Sequence, residues 1–313
     1  MISIIIVNHN TGNILKECVK SVYEIEQSES FEIIIADNNS TDNSMQIIED
    51  LSSGRTNIKT IFLKKDLGFS YANNKGFEAS TGNYILIMNP DIIFTESVFE
   101  KLIENFNTIS DLGAVCPLLI GNDGSFQRNY FQRYPTIIQF ILFYSILAKQ
   151  FIKNSNLLNR YLENRDIDSD SKSVKFVEQV PCAFFFTTRR IFEQAGKMDE
   201  SYVLFFEDVD LSYQICKKYK LAIDTSLQVT HLGGVSFKTE DNWWMYGRFI
   251  LSMNNFFDKN YNWFRGFILK VLSVKNSLLV IFLEYIKMIF GQSDDYRMKK
   301  HKYYLKEFKK HYL

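Results

Sequence analysis

Short apolar runs alternate with segments of helical spacing through the first 120 residues of the chain. Between Asn13 and Tyr23, for example, Leu15, Cys18 and Val22 recur on one face of a helix. Such alternation predicts an α/β fold with a mostly parallel central sheet flanked by helices. The predicted strands are 2–7, 31–36, 58–63, a run that begins at residue 84, and 113–117, and the predicted helices are 13–23, 45–51, 70–80 and 95–107.

The pattern of elements changes after residue 120. The sequence Gly121-Asn122-Asp123-Gly124 predicts a hairpin turn, and the polar stretch Asn154–Lys172 predicts a surface loop. Strands are predicted at 174–180 and 183–188, and helices at 190–195, 208–219 and beyond residue 241. We therefore expect a main domain over 1–240, with halves at 1–120 and 121–240, and a helical C-terminal extension over 241–313.

Charge balance and cysteine spacing narrow the class of protein. Lys and Arg number 36, as do Asp and Glu, which argues against a general nucleic-acid binder, so no nucleic-acid partner is expected. Four widely spaced cysteines without a CxxC pair disfavour a zinc ribbon or a disulfide framework. Met1 leads directly into an apolar run, without the basic region or cleavage site of a signal peptide. These features together predict a cytoplasmic protein.

The C-terminal region combines apolar and basic residues. No uncharged apolar run reaches the length of about 20 residues that a spanning helix needs. The stretch Trp263–Phe290 is interrupted by five charged residues, and the tail Tyr296–Leu313 carries seven Lys or Arg against one acid, Glu307. This composition predicts peripheral binding at the inner face of an anionic cell membrane. A packed helical hairpin with a solvated basic face is the alternative.

Two acidic groups and a histidine are the first candidates for chemistry. The apolar run that begins at Tyr84 stops at Pro90 and ends on Asp91, whereas Glu207 and Asp208 precede His231 much later. Open α/β sheets bind ligands at the carboxyl ends of their strands, and oxygen and imidazole ligands suit a divalent cation that holds phosphates. The pattern predicts a metal-assisted transfer site. Asp91 alone could equally be a turn residue.

Polar loops after the first two strands are candidates for nucleotide binding. Neither a G-x-G-x-x-G turn nor a Walker A motif is present, which disfavours a Rossmann dehydrogenase and a P-loop NTPase. Asn8 follows the first strand, and Asp37 and Asn39 follow the second, so their side chains could hydrogen-bond a nucleoside. Capping of turns and of the next helix is the alternative for Asp37.

Two sets of multi-residue motifs occur in order along residues 1–240. The first set is Val7-Asn8-His9-Asn10, Asp37-Asn38-Asn39-Ser40-Thr41-Asp42, the Gly68–Gly76 segment and Asn89-Pro90-Asp91. The second set is Pro181–Phe186, Arg190–Phe192, Gly196-Lys197-Met198-Asp199-Glu200, Phe205–Leu211 and the His231–Ser236 segment. The first set resembles the nucleotide-sugar half of family 2 glycosyltransferases of GT-A fold, and the second resembles the acceptor half of the rhamnosyltransferase-like branch of that family.

The resemblance implies roles for the donor side of the site. Asp91 matches the last carboxylate of the family's D-x-D element, which binds Mn²⁺ or Mg²⁺ on the donor diphosphate. Asn89 replaces the first aspartate, which implies a weaker metal site. His231 matches a histidine that completes the metal shell. Asp37 is expected on the nucleobase or ribose, and Asn73 beside the donor, on a helix that is entered through Gly68.

The resemblance also implies roles for the acceptor side. Asp208 matches the general base, which a helix N-terminus would keep ionised. Glu207 is a second catalytic candidate, although capping and salt bridging are an equally weighted alternative for it. Asp199 belongs to an acceptor-half motif. Trp243 and Trp244 could stack on acceptor sugars, but an aromatic cluster is more often core.

Together these inferences predict a metal-dependent inverting enzyme that moves a sugar, such as rhamnose, from a nucleotide-diphosphate donor to a glycan acceptor. A lipid-linked acceptor in surface polysaccharide synthesis is the expected context. A GT-A-like nucleotidyltransferase is the first alternative, disfavoured because no glycine-rich triphosphate loop follows the first strand. A non-catalytic glycan-binding or membrane-scaffolding protein is the second, because Asn89 removes one carboxylate.

Overall fold

A computed structural model describes residues 1–27, 30–146, 167, 169–233 and 242–312. Most of the predicted polar loop 154–172 and the end of the His231 motif, residues 234–236, lie outside the described residues. The chain forms two compact units. The first contains the described residues up to 134, from 167 to 203 and from 207 to 233, and the second contains 135–146, 204–206 and 242–312.

The first unit is a mixed sheet with helices. Its strands are β1 (Ile2–Asn8), β2 (Phe31–Asp37), β3 (Ile58–Phe62), β4 (Tyr84–Met88), β5 (Ile92–Ile93), β6 (Leu112–Ile120), β7 (Val174–Val177), β8 (Phe184–Thr188) and β9 (Lys220–His231). Its helices are α1 (Gly12–Ile25), α2 (Ser44–Ser52), α3 (Phe69–Ala79), α4 (Phe99–Thr108), α6 (Arg189–Gln194) and α7 (Glu207–Cys216), with 3₁₀ turns at Arg128–Tyr130 and Ser169–Ser171.

Strand order in the sheet is β3-β2-β1-β4-β8-β6-β9-β5, with β7 paired to β9. The first four strands are parallel, as their alternation with helices predicts. Strand β8 enters antiparallel between β4 and β6, while β6 and β9 are parallel. Every residue of β1 is buried, and its near-continuous apolar sequence is typical of a parallel strand that is covered on both faces.

The hydrophobic core of this unit contains the buried apolar residues of β1, β2 and β4 together with those of the aromatic strand β8. Phe184, Phe185 and Phe186 are fully buried in β8. Tyr84 stacks on Phe186 with ring centroids 5.5 Å apart. At the carboxyl end of β4, Met88 pairs with Phe184, so β8 supports the strand end that Asp91 follows.

The second unit is helical. It contains α5 (Ile137–Tyr144), α8 (Trp243–Asn260), α9 (Trp263–Ile289) and α10 (Asp295–Tyr312). Helix α5 begins with a capping box, in which the Thr136 hydroxyl accepts from the Gln139 backbone and the Gln139 side chain accepts from the Thr136 backbone. By length and composition alone, α9 could cross a membrane, and a third of its most apolar window is buried.

Candidate active site

Asp91 and His231 are brought together by the shortest strand of the sheet. Strand β5 begins directly after Asp91 and pairs with the end of β9, so that Ile92 lies opposite His231. The Asp91 carbonyl accepts from the Leu232 backbone, and its Oδ2 accepts from the Gly233 backbone at 3.0 Å. Both residues are almost completely buried, at 7% and 1% exposure. His231 Nε2 lies 3.4 Å from Asp91 Oδ1.

Gln127 sets the tautomer of His231. Its Nε2 donates to the His231 carbonyl at 2.9 Å, so its Oε1 is the atom that accepts from His231 Nδ1–H, at 2.7 Å. In the neutral ring, Nε2 is then left with a free lone pair on the side of Asp91. The 3.4 Å separation exceeds a normal hydrogen bond, which fits two acceptor atoms facing one shared position.

Tyr130 connects this pair to the acidic cluster of α7. Its ring meets the His231 imidazole edge-on, with centroids 4.9 Å apart. Burial raises the pKa of the Tyr130 phenol, and the charges of Asp91 and Asp208 raise it further. Asp208 therefore lies in the same electrostatic environment as Asp91. Its carboxylate accepts from the backbone N–H groups of Val209 and Cys182.

Glu207 and Asp208 are adjacent carboxyls at the first turn of α7. Burial raises the pKa of Glu207 to about 8, with the Asp208 charge as the second cause. Glu207 Oε2 is buried without a hydrogen-bond partner, in contrast to the backbone donors at Asp208. Burial also raises the pKa of Asp208, so the helix N-terminus does not hold it as ionised as expected. A carboxyl with a pKa nearer neutrality suits a general base.

Strained backbone directly precedes this carboxyl pair. Phe205 and Phe206 both have left-handed φ angles, of 66° and 69°. This conformation costs an aromatic residue roughly 1–3 kcal/mol and persists only where packing enforces it. Phe206 packs against Phe249 and Phe256, with centroids 5.2 and 5.8 Å apart. The strain lies where the chain begins the helix that carries Asp208.

The loops after β1 and β2 form one hydrogen-bonded network. Asn8 Nδ2 donates to Asp37 Oδ2 at 2.8 Å, and the Ser40 hydroxyl donates to the same oxygen at 2.6 Å. The Ser40 backbone donates to the other oxygen, Oδ1, at 2.9 Å. Asn39 has a left-handed φ of 61°. Asp37 therefore holds the two loops together.

A similar network of hydrogen bonds stabilises the residues that lead into the start of α3. Gly68 has φ +90°, and a Cβ there would lie 2.9 Å from the Val203 carbonyl oxygen. Its N–H donates to Asp66, which also accepts from Asn38 of the β2 loop. One turn into the helix, Asn73 is fully buried and its Oδ1 has no hydrogen-bond partner. The helix and the nucleotide-side loops are thus joined.

The other predicted residues lie elsewhere. Asn89 is half-buried two residues before Asp91, and its N–H donates to the Ala183 carbonyl. Asp199 begins a turn by accepting from the Ser201 backbone and lines a polar cavity of about 590 Å³ together with Asn74. Trp243 and Trp244 begin α8 in the second unit, where Trp243 packs edge-on against Tyr303 at 5.3 Å.

The comparison with known protein families agrees with this arrangement. Residues 3–171, more than half of the chain, match the family described as glycosyl transferase family 2. The chain belongs to glycosyl transferase family 2.

Relatives of this family 2 chain match it over a limited length. It is 31% identical over 102 residues to glycosyltransferase GlyG of Streptococcus pneumoniae, covering 33% of this chain and 34% of that protein. It is 28% identical over 114 residues to poly-beta-1,6-N-acetyl-D-glucosamine synthase of Staphylococcus epidermidis, covering 36% and 27%. These matches span about a third or less of each relative.

Solved structures extend the likeness of the fold beyond the family match. A mannosyltransferase from Pyrobaculum calidifontis, solved with GDP-Man and Mn²⁺, aligns with all of this chain and 76% of its own. The TM-score is 0.56 at 11% identity, so the likeness concerns the fold alone. The family 2 chain thus has a GT-A fold, with a mixed sheet flanked by helices and additional C-terminal helices.

Gln127 and Tyr130 are site residues that the motifs of family 2 do not reveal. The hairpin turn at Gly121–Gly124 was the available signal. After it, Phe126 pairs with Ile120 and the Gln127 backbone donates to Leu119, so the chain runs back along the end of β6. Because β6 lies beside β9, the residues after the turn approach His231. Because the glutamine side chain is neutral, the pattern of charges in the sequence does not identify Gln127 as a site residue.

Proposed function

We propose that this protein is an inverting glycosyltransferase that moves a sugar from a nucleotide-diphosphate donor to a glycan acceptor. The convergence of Asp91, His231 and Asp208 around Tyr130 carries the proposal. In this arrangement, a pair of side chains that can bind a cation lies in the same site as a carboxylate that can accept a proton. The GT-A fold supports it, since this fold is used for nucleotide-sugar chemistry, although function depends on the site rather than on the fold.

Asp91 and His231 fit a divalent cation such as Mn²⁺ or Mg²⁺. Their facing Oδ1 and Nε2 atoms are acceptors, and Gln127 keeps the imidazole in the tautomer that a metal requires. Within the described residues, no cluster of three or more potential ligands exists, so donor phosphate oxygens and water would complete the shell. When bound, the cation would neutralise the charge of the donor diphosphate.

Asp208 is proposed to take the proton from the attacking acceptor hydroxyl. Its backbone donors orient the carboxylate, and its raised pKa improves its strength as a base near neutral pH. Glu207, with a pKa of about 8, is mostly protonated at neutral pH and is a poor nucleophile in that state. A single displacement with inversion therefore fits this pair better than a double displacement.

The loops at Asn8, Asp37 and Asn39 are proposed to bind the nucleoside, with Asn73 beside the donor. Asp37 is already engaged by Asn8 and Ser40, so its contribution to the donor would be to shape the loop. The buried, unpaired Oδ1 of Asn73 supports a role in contact with a ligand donor group. Asp199 is proposed on the acceptor side.

A lipid-linked glycan acceptor in surface polysaccharide synthesis is the proposed context, at the cytoplasmic face of the cell membrane. The Staphylococcus epidermidis relative is named for the synthesis of a polysaccharide, which supports this class of product. The acceptor-half motifs favour a sugar such as rhamnose, in line with their resemblance to the rhamnosyltransferase-like branch. The main domain is proposed to end near residue 240.

A donor screen tests the function and the metal together. UDP-, dTDP- and GDP-sugars are added with and without Mn²⁺, and thermal unfolding is followed, because a ligand of the folded state raises its melting temperature. One donor class should stabilise the protein only with metal, and Asp91→Asn should remove that shift. Asp50→Asn, on the exposed surface of α2, is the matched control.

Turnover separates the proposal from its alternatives. With the donor that binds, we expect slow metal-dependent hydrolysis that releases the nucleoside diphosphate. Binding without any turnover would favour the glycan-binding alternative, and pyrophosphate exchange with a nucleoside triphosphate would favour the nucleotidyltransferase. Full activity in the presence of a chelator, or in Asp91→Asn, would refute the metal assignment.

A further inference from the structure

Helix α9 is built with its polar side chains toward the protein. Ser273, Asn276, Ser277 and Glu284 are buried, at 6% exposure or less. The Ser273 hydroxyl lies 2.6 Å from the Tyr304 hydroxyl, and Ser277 lies 3.0 Å from a ring nitrogen of His301. These bonds fix which face of α9 is turned inward.

Two further polar residues secure the same inward face. Asn276 donates to the Tyr144 carbonyl and accepts from the Ile146 backbone, both at 2.9 Å. Glu284 accepts from the Asp294 backbone and forms ion pairs with Lys287 and Arg297. The inward face is therefore specified by hydrogen bonds along most of the helix.

The opposite face of α9 is an apolar stripe. It consists of Phe264, Phe267, Leu278, Phe282, Tyr285 and Ile289, with exposures between 45% and 79%. Their spacing of three, four or eleven residues keeps them on one side of a helix about 40 Å long. A water-facing helix normally has the reverse arrangement. An exposed apolar face of this length marks an interaction surface.

The net charge of the segment that contains α9 and α10 indicates which kind of partner the apolar stripe binds. Between residues 263 and 312, eleven Lys and Arg stand against four Asp and Glu, a formal charge of +7 in a chain whose total is zero. Of the four acids, Glu284 and Glu307 are buried and paired with cations, while Asp294 and Asp295 are exposed in and just after the turn beyond the stripe.

Cations also border the stripe itself. Lys275 is exposed within the span of the stripe, three residues before Leu278. Lys302 of α10 places its Nζ 5.0 Å from the centre of the Tyr285 ring. Bringing two copies of this face together would place like charges against each other, whereas an anionic surface would neutralise them.

We propose that the apolar stripe of α9 inserts into the surface of an anionic lipid membrane, with Lys275 and Lys302 at the head groups. The helix lies in the plane of the interface, because its inward face stays bonded to its neighbours along its length. Large aromatic side chains with flanking lysines are the composition of such interfacial helices. This inference is independent of the proposed glycosyl transfer.

Vesicle sedimentation with the full-length protein tests the proposal. Wild type should pellet with vesicles that contain phosphatidylglycerol, bind neutral phosphatidylcholine vesicles at least about tenfold more weakly, and dissociate at high salt. Phe267→Ser with Phe282→Ser should reduce binding about tenfold or more. Phe176→Ser is the matched control, because Phe176 is 57% exposed on β7 of the first unit.

A double variant with two reversed charges measures the electrostatic contribution to membrane binding. Lys275→Glu with Lys302→Glu should weaken binding to anionic vesicles several-fold, whereas Lys16→Glu on the exposed face of α1 should not. Thermal unfolding of each variant checks that it folds. Equal binding to neutral vesicles, or unchanged binding of the double Phe variant, would overturn the proposal. So would a dimer in solution that loses its association in the same variant, or wild type that resists extraction by alkaline carbonate as a spanning protein does.

Discussion

Replacing Glu207 with Gln should stabilise the protein at alkaline pH. The Glu207 carboxyl holds its proton more tightly in the folded state, because burial and then the Asp208 charge raise its pKa from 4.5 to about 8. Between these two values, the unfolded chain releases the proton first, so the free energy of unfolding falls as pH rises. A neutral Gln of the same shape removes this loss.

The magnitude follows from the change in pKa. One pKa unit corresponds to about 1.4 kcal/mol, so a rise from 4.5 to about 8 sets an upper limit of about 5 kcal/mol on the destabilisation by ionised Glu207. Relaxation of the site and the coupling to Asp208 reduce this figure. We therefore expect Glu207→Gln to exceed wild type by about 1–3 kcal/mol near pH 8 and to approach it as the pH falls below 4.5.

Urea unfolding at several pH values measures the effect. Glu32→Gln is the control of opposite sign: burial opposes ionisation of Glu32, but hydrogen bonds from Lys59, Ser3 and Thr81 outweigh it and lower its pKa to about 2. That variant should be less stable than wild type above pH 4.5. The reasoning about Glu207 is refuted if Glu207→Gln is no more stable than wild type at pH 8, or if its pH dependence is unchanged.

Three further predictions concern the site. Gln127→Leu should weaken Mn²⁺ binding by about 10–100-fold in titration calorimetry, since the tautomer of His231 is released; unchanged affinity would contradict the role of Gln127. Asp208→Asn should keep donor binding and lower the transfer rate by about two to four decades, and an equal loss of donor affinity would make Asp208 a ligand instead. Gly68→Ala should cost about 1–3 kcal/mol in chemical denaturation, because of φ +90° and the Val203 backbone; no loss would mean that the α3 entry can shift.

The parallel half of the sheet was predictable because its signals are local. Strands β1 to β4 and their helices follow from apolar runs and helical spacing, and their observed bounds agree within one residue at most ends. The start of α4 is an exception: it begins at Phe99 rather than at residue 95. Glu26, 71 residues or more away, accepts from the Ser97 hydroxyl and from the backbone N–H groups of Val98 and Phe99. Because the residue that caps α4 is distant in the sequence, the residues around the start of the helix do not reveal where it begins.

Elements defined by distant pairing were harder to predict. Strand β5 has only two residues and exists because Ile92 and Ile93 pair with β9. Strand β9 has twelve residues, and the sequence pattern predicts no strand over them. Its pattern is irregular because the register against β6 shifts between Pro117 and Leu118. Such pairings depend on tertiary structure rather than on periodicity.

The candidate site was predictable where charge marks it. Asp91, His231 and Asp208 are conspicuous in the sequence because charged or imidazole groups follow apolar runs. Gln127 and Tyr130 are not, since their roles arise from a hydrogen bond to His231 and a ring contact with it. The raised pKa of Asp208 also required the structure, because the burial that outweighs its helix N-terminus is a property of packing.

The pairing of Ile92 with His231 also has a kinetic consequence. Gly233 and Asp91, joined by a hydrogen bond in this pairing, are 142 residues apart in the chain. Closing a loop of that length costs about 4 kcal/mol of chain entropy, and contacts of such high separation form late in folding. During refolding, Mn²⁺ binding at the proposed site should therefore appear only after β5 has paired with β9, so the proposed cation would report on that step.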